Sequence, residues 1–484
     1  MNLQLLTDLY EFSMANGYYA TLPHDRQARF EVFYRRVPDN GSFVIVAGLQ
    51  QVVEQVQNWH FTKENIEYLT SLNEFTPEFL NYLSKIKNHC SIKALPEGTP
   101  VFPREPIISI SGPLIEAQLL ETFILNIINH QSLIATKSWQ INHAAQGRPI
   151  MEFGARRAQG PDAATYGARA AVIGGCTSTS NLQAASKFNI PAAGTMAHAW
   201  VESFSDELSA FQAWAKVYPD KVSLLVDTYD VLKSGVPNAI RVFKQVSAQG
   251  HQPVGIRIDS GDILQLAIKA RKMLDDAGFP KAKITASNAL DAHVVKLLLD
   301  EGAPIDNFGI GERLITSSSS PVLSGVYKLA EEKINDQWIP KIKVSDSREK
   351  ITLPGNKQVY RIYRQDNLHQ AIADVIALAD EHITAPLKVV NANNANSAAT
   401  HASQVLTNFN AKPLMQEYLG SNASPIENDL FKIQQFSMDQ VAELPEATKR
   451  LVNPDRYPVY LTATLAELQE QLITKAKAQF TEEH

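Results

Sequence analysis

Residues 255–262 read GIRIDSGD, an apolar run that ends in one arginine and two aspartates. A guanidinium offers a fork of N–H groups that can hold an anion, and Asp259 or Asp262 can hold Mg²⁺ or face a cationic centre. Arg257 and Asp259 need not share a strand face, but the turn after them can swing both inward. FGIGERL (308–314) supplies Gly309 and Gly311 near a predicted helix start. Exposed N–H groups there suit a phosphate, although two glycines also make an ordinary turn. PAAGTMAHAW (191–200) sets His198 just past Thr195, at the mouth of an expected strand. Its imidazole could be a buried ring satisfied by backbone, or it could do chemistry as a general acid or base.

Other apolar runs end the same way. RPIMEFGARR carries Phe153 and Arg156, CTSTSN carries Cys176 to Thr179, VSLLVDTYD carries Asp227, and ITASNAL carries Ser287 and Asn288. Each has a plain structural alternative: Phe153 as core, Arg156 and Arg157 as a solvated pair, CTSTSN and Asp227 as helix caps. As a set they are harder to dismiss. In a parallel barrel the C-terminal ends of strands converge on one mouth. That mouth would hold Asp227, Asp259 and Asp262, two arginines, one histidine and many small donors, which packing alone does not require. Together these parts suggest a phosphorylated sugar substrate with a divalent metal.

The elements that must position them follow a rhythm from about residue 148 to 330. A short apolar run ends in polar or glycine residues and a helical stretch follows, roughly every 20–35 residues, the spacing of βα units on a parallel sheet. SGVYKLAEE adds one more strand. Seven or eight such units predict an irregular or incomplete (β/α) barrel; a doubly wound open sheet is the alternative. No GxGxxG opens the first unit, which weakens a dinucleotide-binding reading. The first 130 residues mix strands and helices irregularly, and prolines at 96, 100, 103, 106 and 113 demote a central strand there. After about residue 335 come WIPKIKVS and KQVYRIYR as strands, the polar loop NANNANSAATHASQ, and a final amphipathic helix, LAELQEQLITKAKAQF. The expected organisation is an N-terminal part of an α+β domain at 1–135, a barrel at 136–335, and a segment 336–484 that packs back on the first.

Composition narrows the partners. The chain has 484 residues, a formal net charge of −6 and a pI near 6.1, which argues against a generic nucleic-acid or membrane surface. Cys90 and Cys176 are its two cysteines, too few for a disulfide framework, as expected of a cytoplasmic protein in a reducing compartment. The opening MNLQLLTDLYEF lacks a basic start and is not expected to be a signal peptide. LLETFILNIINHQSLIA is too short and too polar to span a bilayer and reads as a buried helix.

Read in order, these motifs resemble the nicotinate phosphoribosyltransferase family. The likeness runs through LLTDLYEFSMANGYY, FYRRVP, EFGARRAQGPDAA, GGCTSTSN, GTMAHAWV, LLVDTYD, GIRIDSGD, ITASNALD, FGIGERLITS and GVYKLA, to about residue 365. LPEGTPVFPREPIISISGPLIEAQLLET further resembles the first domain of the related quinolinate enzymes. The resemblance implies a type II phosphoribosyltransferase fold, an irregular barrel plus a domain built from both chain ends. It implies ATP-coupled, Mg²⁺-dependent joining of nicotinate to 5-phosphoribosyl 1-diphosphate for NAD synthesis, in a cytoplasmic homodimer whose sites are shared between subunits.

It also implies roles. His198 matches the histidine that ATP phosphorylates, with Asp227 expected to orient its ring. Asp259 and then Asp227 favour the cationic sugar, and Asp259 and Asp262 are the metal candidates. Arg257 is the expected partner of the nicotinate carboxylate, with Thr195 and Thr177 as donors. Phe153 matches the ring-stacking position, and Tyr10 a tyrosine that reaches the site from the other subunit. The competing reading of Tyr10's segment is a capped helix, with Asp8 and Glu11 at capping-box spacing. Arg156, Ser287, Asn288, Gly309 and Gly311 match ribose- and phosphate-binding loops. Glu312 departs from the threonine common in the family. Nicotinamide-using relatives carry an aspartate in the region of CTSTS, where this chain offers Thr177 and Ser178. A non-catalytic phosphate-binding barrel is the rival from another class.

Overall fold

The computed structural model describes residues 3–345, 347, 350–392 and 403–481. The expected polar loop 391–404 lies largely outside them. Two compact units form, one from Met1–Leu133, Val322–Asn428 and Gln435–His484, the other from Ile134–Pro321 and Asp429–Gln434.

Both chain ends build the first unit. One six-stranded sheet runs Gln337–Pro340, Gly325–Ile334, Gln27–Tyr34, Ile108–Pro113, Ser91–Ala94, Gln416–Leu419. A second sheet places Val459–Thr462 between Leu387–Asn391 and Asn367–Leu378. The final helix spans Ala463–Thr481. A buried ion pair pins the second sheet. The Arg361 guanidinium meets Asp374 through Nε at 3.0 Å and Nη2 at 2.9 Å, and Nη2 also donates to the Pro100 carbonyl at 2.8 Å. Neither side chain touches solvent.

Two expectations are corrected here. Strand Gly325–Ile334 is not a barrel strand: it lies antiparallel to Gln27–Tyr34, with Val326 opposite Phe33. Its charges explain why. Glu331 and Glu332 find Arg29 at 3.2 Å and Arg26 at 2.9 Å, partners that an apolar parallel barrel would not offer. Ile108–Pro113 is an interior strand despite the nearby prolines. Pro106 precedes it and Pro113 closes it, so no proline interrupts the ladder between them.

The second unit is a parallel sheet in the order Ser178–Thr179, Ile150–Glu152, Asn307–Ile310, Lys283–Asn288, Gly255–Ile258, Ser223–Leu225. The last strand in sequence pairs with the first, as in a closing barrel. Every sequence neighbour pairs except Thr179 and Ser223, where the ring stays open. The run KFNIPAA, expected as a strand, adds only one parallel bridge there, Thr179 with Ala192. Asn189 sits at φ +53 and Pro191 lacks an N–H, so the run cannot extend a ladder. The barrel is therefore incomplete, with six strands and one bridge rather than seven or eight. Ile256, Ile258, Ile284, Ala286, Phe308 and Ile310 are fully buried in it. Helix Val236–Ala248 packs by Val236, Ala239, Val242, Phe243 and Val246, the spacing of one helix face.

Asp374→Ala would leave Arg361 charged and buried. It should cost about 3–5 kcal/mol in urea unfolding; a loss under about 1 kcal/mol would show the pair to be dispensable.

Candidate active site

Arg257 stands near the end of strand Gly255–Ile258. Its Nε donates to Ser287 Oγ at 2.8 Å, Nη1 to Thr195 Oγ1 at 3.0 Å, and Nη2 to Asp259 Oδ1 at 2.8 Å. The guanidinium carbon lies 5.5 Å from the centre of the Phe153 ring. Three of its five N–H groups are committed, and two are left for an incoming anion.

The Asp259 carboxylate accepts from Arg257 and Ser287 through the same oxygen, Oδ1. Burial works to raise its pKa, but the Ser287 hydroxyl and the Arg257 guanidinium outweigh it and hold the pKa below the ordinary value. Asp259 is thus a carboxylate at neutral pH. Its other oxygen, Oδ2, is 3.9 Å from His198 Nε2.

Asp227 holds the turn after Asp259. Its Oδ2 accepts from the Asp259 amide at 3.1 Å and from Ser260 Oγ at 2.6 Å. Its Oδ1 is buried without a partner among the described residues. Asp227 is not a helix cap; Asp230 performs that task for the next helix. Nor does it orient the histidine. His198 Nδ1 meets Thr228 Oγ1 at 3.1 Å, so the residue after the aspartate takes the expected place. His198 opens the short helix His198–Glu202 with 40% of its side chain exposed.

Glycine at 309 is explained by space. A Cβ there would fall 2.6 Å from the Phe153 ring, and one on Gly311 would fall 2.9 Å from the Phe153 carbonyl oxygen. Both glycines let Phe153 lie against its neighbours. Glu152, which sequence reasoning passed over, secures the same turn. It is buried, accepts from Thr179 Oγ1 at 2.6 Å, and accepts the Gly154 amide. Burial raises its pKa. An acid inside the apolar run RPIMEFG was the available signal.

The remaining candidates divide. Ser287 is buried within the cluster. Asn288 ends its strand at φ +129, an unusual conformation for a side-chain-bearing residue, and its Oδ1 accepts the Ala289 amide at 2.7 Å. Thr195 donates to the Met196 carbonyl at 3.2 Å while accepting from Arg257, so its proton is already used. Thr177 is not gathered in. Its hydroxyl donates at 3.1 Å to the carbonyl of Ile150, the first residue of its strand. Asp262 caps helix Ile263–Asp276 by accepting the Gln265 amide at 3.1 Å. Arg156 is exposed and in no ion pair among the described residues, whereas Glu312 pairs with Arg157 at 3.4 Å. Tyr10 lies in the first unit, 47% exposed, on helix Leu9–Thr21, which does carry the Asp8–Glu11 capping box.

Among the described residues no group of three or more His, Cys, Asp or Glu side chains is placed to hold a metal. The unpartnered Asp227 Oδ1 and the neighbouring Asp259 fit a cation that brings its other ligands with it, as Mg²⁺ commonly does with phosphates and water.

Gly309→Ala should overpack Phe153 and cost about 1–3 kcal/mol in urea unfolding. Gly194→Ala, whose new Cβ meets nothing within 4 Å, should stay within about 0.5 kcal/mol of the parent. Equal effects would remove the packing explanation for Gly309.

Comparison with known proteins gives the family. The nicotinate phosphoribosyltransferase (NAPRTase) N-terminal domain model matches residues 5–129, the NAPRTase family model 149–372, and the nicotinate phosphoribosyltransferase C-terminal domain model 356–469. The last covers much of the segment where the sequence motifs thin out. Nicotinate phosphoribosyltransferase of Bacillus subtilis is 41% identical over 483 residues, covering 100% of this chain and 97% of that protein. The crystal structure of human nicotinic acid phosphoribosyltransferase superposes with a TM-score of 0.84 at 28% identity, over 97% of this chain and 100% of that one. A nicotinate-nucleotide pyrophosphorylase from Pyrococcus furiosus shares the fold, with a TM-score of 0.68 at 21% identity over 91% of this chain and 96% of its own. The chain belongs to the nicotinate phosphoribosyltransferase family.

Proposed function

We propose that the protein joins nicotinate to 5-phosphoribosyl 1-diphosphate, giving nicotinate mononucleotide and pyrophosphate for NAD synthesis, with ATP hydrolysis coupled through His198. The observation that carries this reading is the Arg257 fork, whose guanidinium lies near the Phe153 ring and whose Nη2 is bonded to the Asp259 carboxylate. The two uncommitted N–H groups of Arg257 take the nicotinate carboxylate, and Phe153 places the pyridine ring. The ring nitrogen attacks ribose C1′ as the bond from C1′ to the diphosphate oxygen breaks. Positive charge grows on the sugar, and the ionised Asp259 stabilises it. Mg²⁺ bound with the diphosphate would offset charge on the leaving group, with Asp227 and Asp259 the carboxylates to hold it.

His198 supplies the second reaction. One imidazole nitrogen attacks the γ-phosphorus of ATP, the bond to the bridging oxygen breaks, and ADP leaves. Water later releases phosphate from the phosphohistidine. Nε2 is the nitrogen that reacts: Nδ1–H then donates to Thr228, and the Nε2 lone pair is free to attack. Tyr10, half exposed at the start of its helix, serves the site of a second copy in a homodimer. The preference for the acid over the amide of the base follows from Arg257 and from Thr177 and Ser178 in place of an aspartate.

The test measures pyrophosphate release with nicotinate and nicotinamide in competition, with and without ATP, and ³²P transfer from γ-labelled ATP. The expected outcome is nicotinate preference, stimulation by ATP, and acid-labile label that His198→Asn abolishes. Preference for nicotinamide, or full labelling of His198→Asn, would overturn it.

A further inference from the structure

The first unit holds a cavity of about 600 Å³ that shares no residue with the barrel cluster. Four arginines line it, Arg35, Arg36, Arg104 and Arg456, against a single lining carboxylate, Asp455. That carboxylate faces another cation, Arg450, at 3.8 Å. The nearest acid of the small adjoining cavity, Glu31, is held by Lys357 at 2.9 Å. Arg35, Arg104 and Arg456 are in no ion pair with the acids around them among the described residues.

Two guanidinium nitrogens are left over. Arg104 Nη1 donates to the Ala392 carbonyl at 2.7 Å, but its Nη2 is buried and bonds to nothing among the described residues. Arg35 Nε is likewise buried and unpartnered, and the rest of that head lies 5.8 Å from the Phe33 ring. Buried donors without acceptors are costly, and two like charges add to the cost. Burial, and then Arg35, push the Arg104 pKa down to about 10. The backbone is also bent to place this side chain: Arg104 sits at φ +77, where glycine would be the easy residue. Strain, desolvation and charge repulsion are all borne at one arginine that faces a cavity.

We propose that this cavity is a binding site for a phosphate-bearing small anion, whose oxygens accept from Arg104 Nη2 and Arg35 Nε while Arg456 closes over it. The volume suits a ligand from inorganic phosphate to a nucleotide. Three chain segments meet there, around Arg35, Arg104 and Arg456, so a bound anion ties the N-terminal and C-terminal parts of the unit together and raises its thermal midpoint.

The experiment is calorimetric titration of the full chain at low salt without divalent metal, using inorganic phosphate, pyrophosphate and ATP in separate arms. Sodium chloride at matched ionic strength is the control. Arg104→Gly suits the left-handed backbone and should fold at least as well as the parent. Asp259→Asn disturbs only the barrel cluster. Binding that persists in Asp259→Asn is binding outside the barrel cluster, and Arg104→Gly should weaken that binding about tenfold or more, the scale of one charge-assisted hydrogen bond. The arm with the highest affinity identifies whether free phosphate, diphosphate or nucleotide is the ligand. Undiminished binding by Arg104→Gly, loss confined to Asp259→Asn, or no binding in any arm would each overturn the proposal.

Discussion

The fork at Arg257 is the constraint on which the candidate site depends. Its three nitrogens reach Ser287 from one strand, Asp259 from its own strand end, and Thr195 from the opened side of the sheet. A planar guanidinium spreads five donors over three nitrogens, so it can bond three separated acceptors and still keep two N–H groups; an ammonium has three donors on one nitrogen and would keep none. The fork sets the Asp259 carboxylate, helps hold it ionised, and leaves two N–H groups near an aromatic ring. Around it, each neighbour is fixed by a further contact. Asp227 clamps the turn that carries Asp259 and Ser260, Thr228 fixes His198, and Glu152 secures the turn below Phe153.

The incomplete sheet explains why so many acceptors can converge. The strands before and after the gap are held in register by the remaining parallel pairs, so their ends still point to one mouth. The gap replaces a strand with the stretch around Pro191, and the chain is freed to deliver Thr195 and His198 from a loop and a short helix. A closed ladder would have committed those residues to regular pairing.

Much of this was legible in the chain. Apolar runs ending in polar residues marked the barrel strands, because buried parallel strands need apolar side chains and their ends do not. Arg257, Asp259, Ser287, Phe153 and His198 were found that way, and the structure brings them together. Other features were not readable locally. The pairing of Gly325–Ile334 with Gln27–Tyr34 joins residues some 300 positions apart, and nothing in either run names the other. Asp227 and Thr228 are adjacent in VDTYD, and only the backbone path decides which faces His198. Gly309 also leaves the space that Phe153 occupies, a fact of packing that the sequence does not show. Asp262 and Thr177 carried suitable chemistry but spend it on a helix cap and a strand carbonyl.

The central claim is that the three-way fork of Arg257, rather than its charge alone, makes the site work. The direct measurement is kcat/KM for nicotinate in Arg257→Lys beside the parent, with thermal midpoints recorded for both. A lysine keeps the charge but cannot reach Ser287, Thr195 and Asp259 at once, so two charge-assisted bonds are lost. The account predicts a fall of about 100-fold or more with the fold retained. Turnover within about threefold of the parent, less than one such bond is worth, would contradict it.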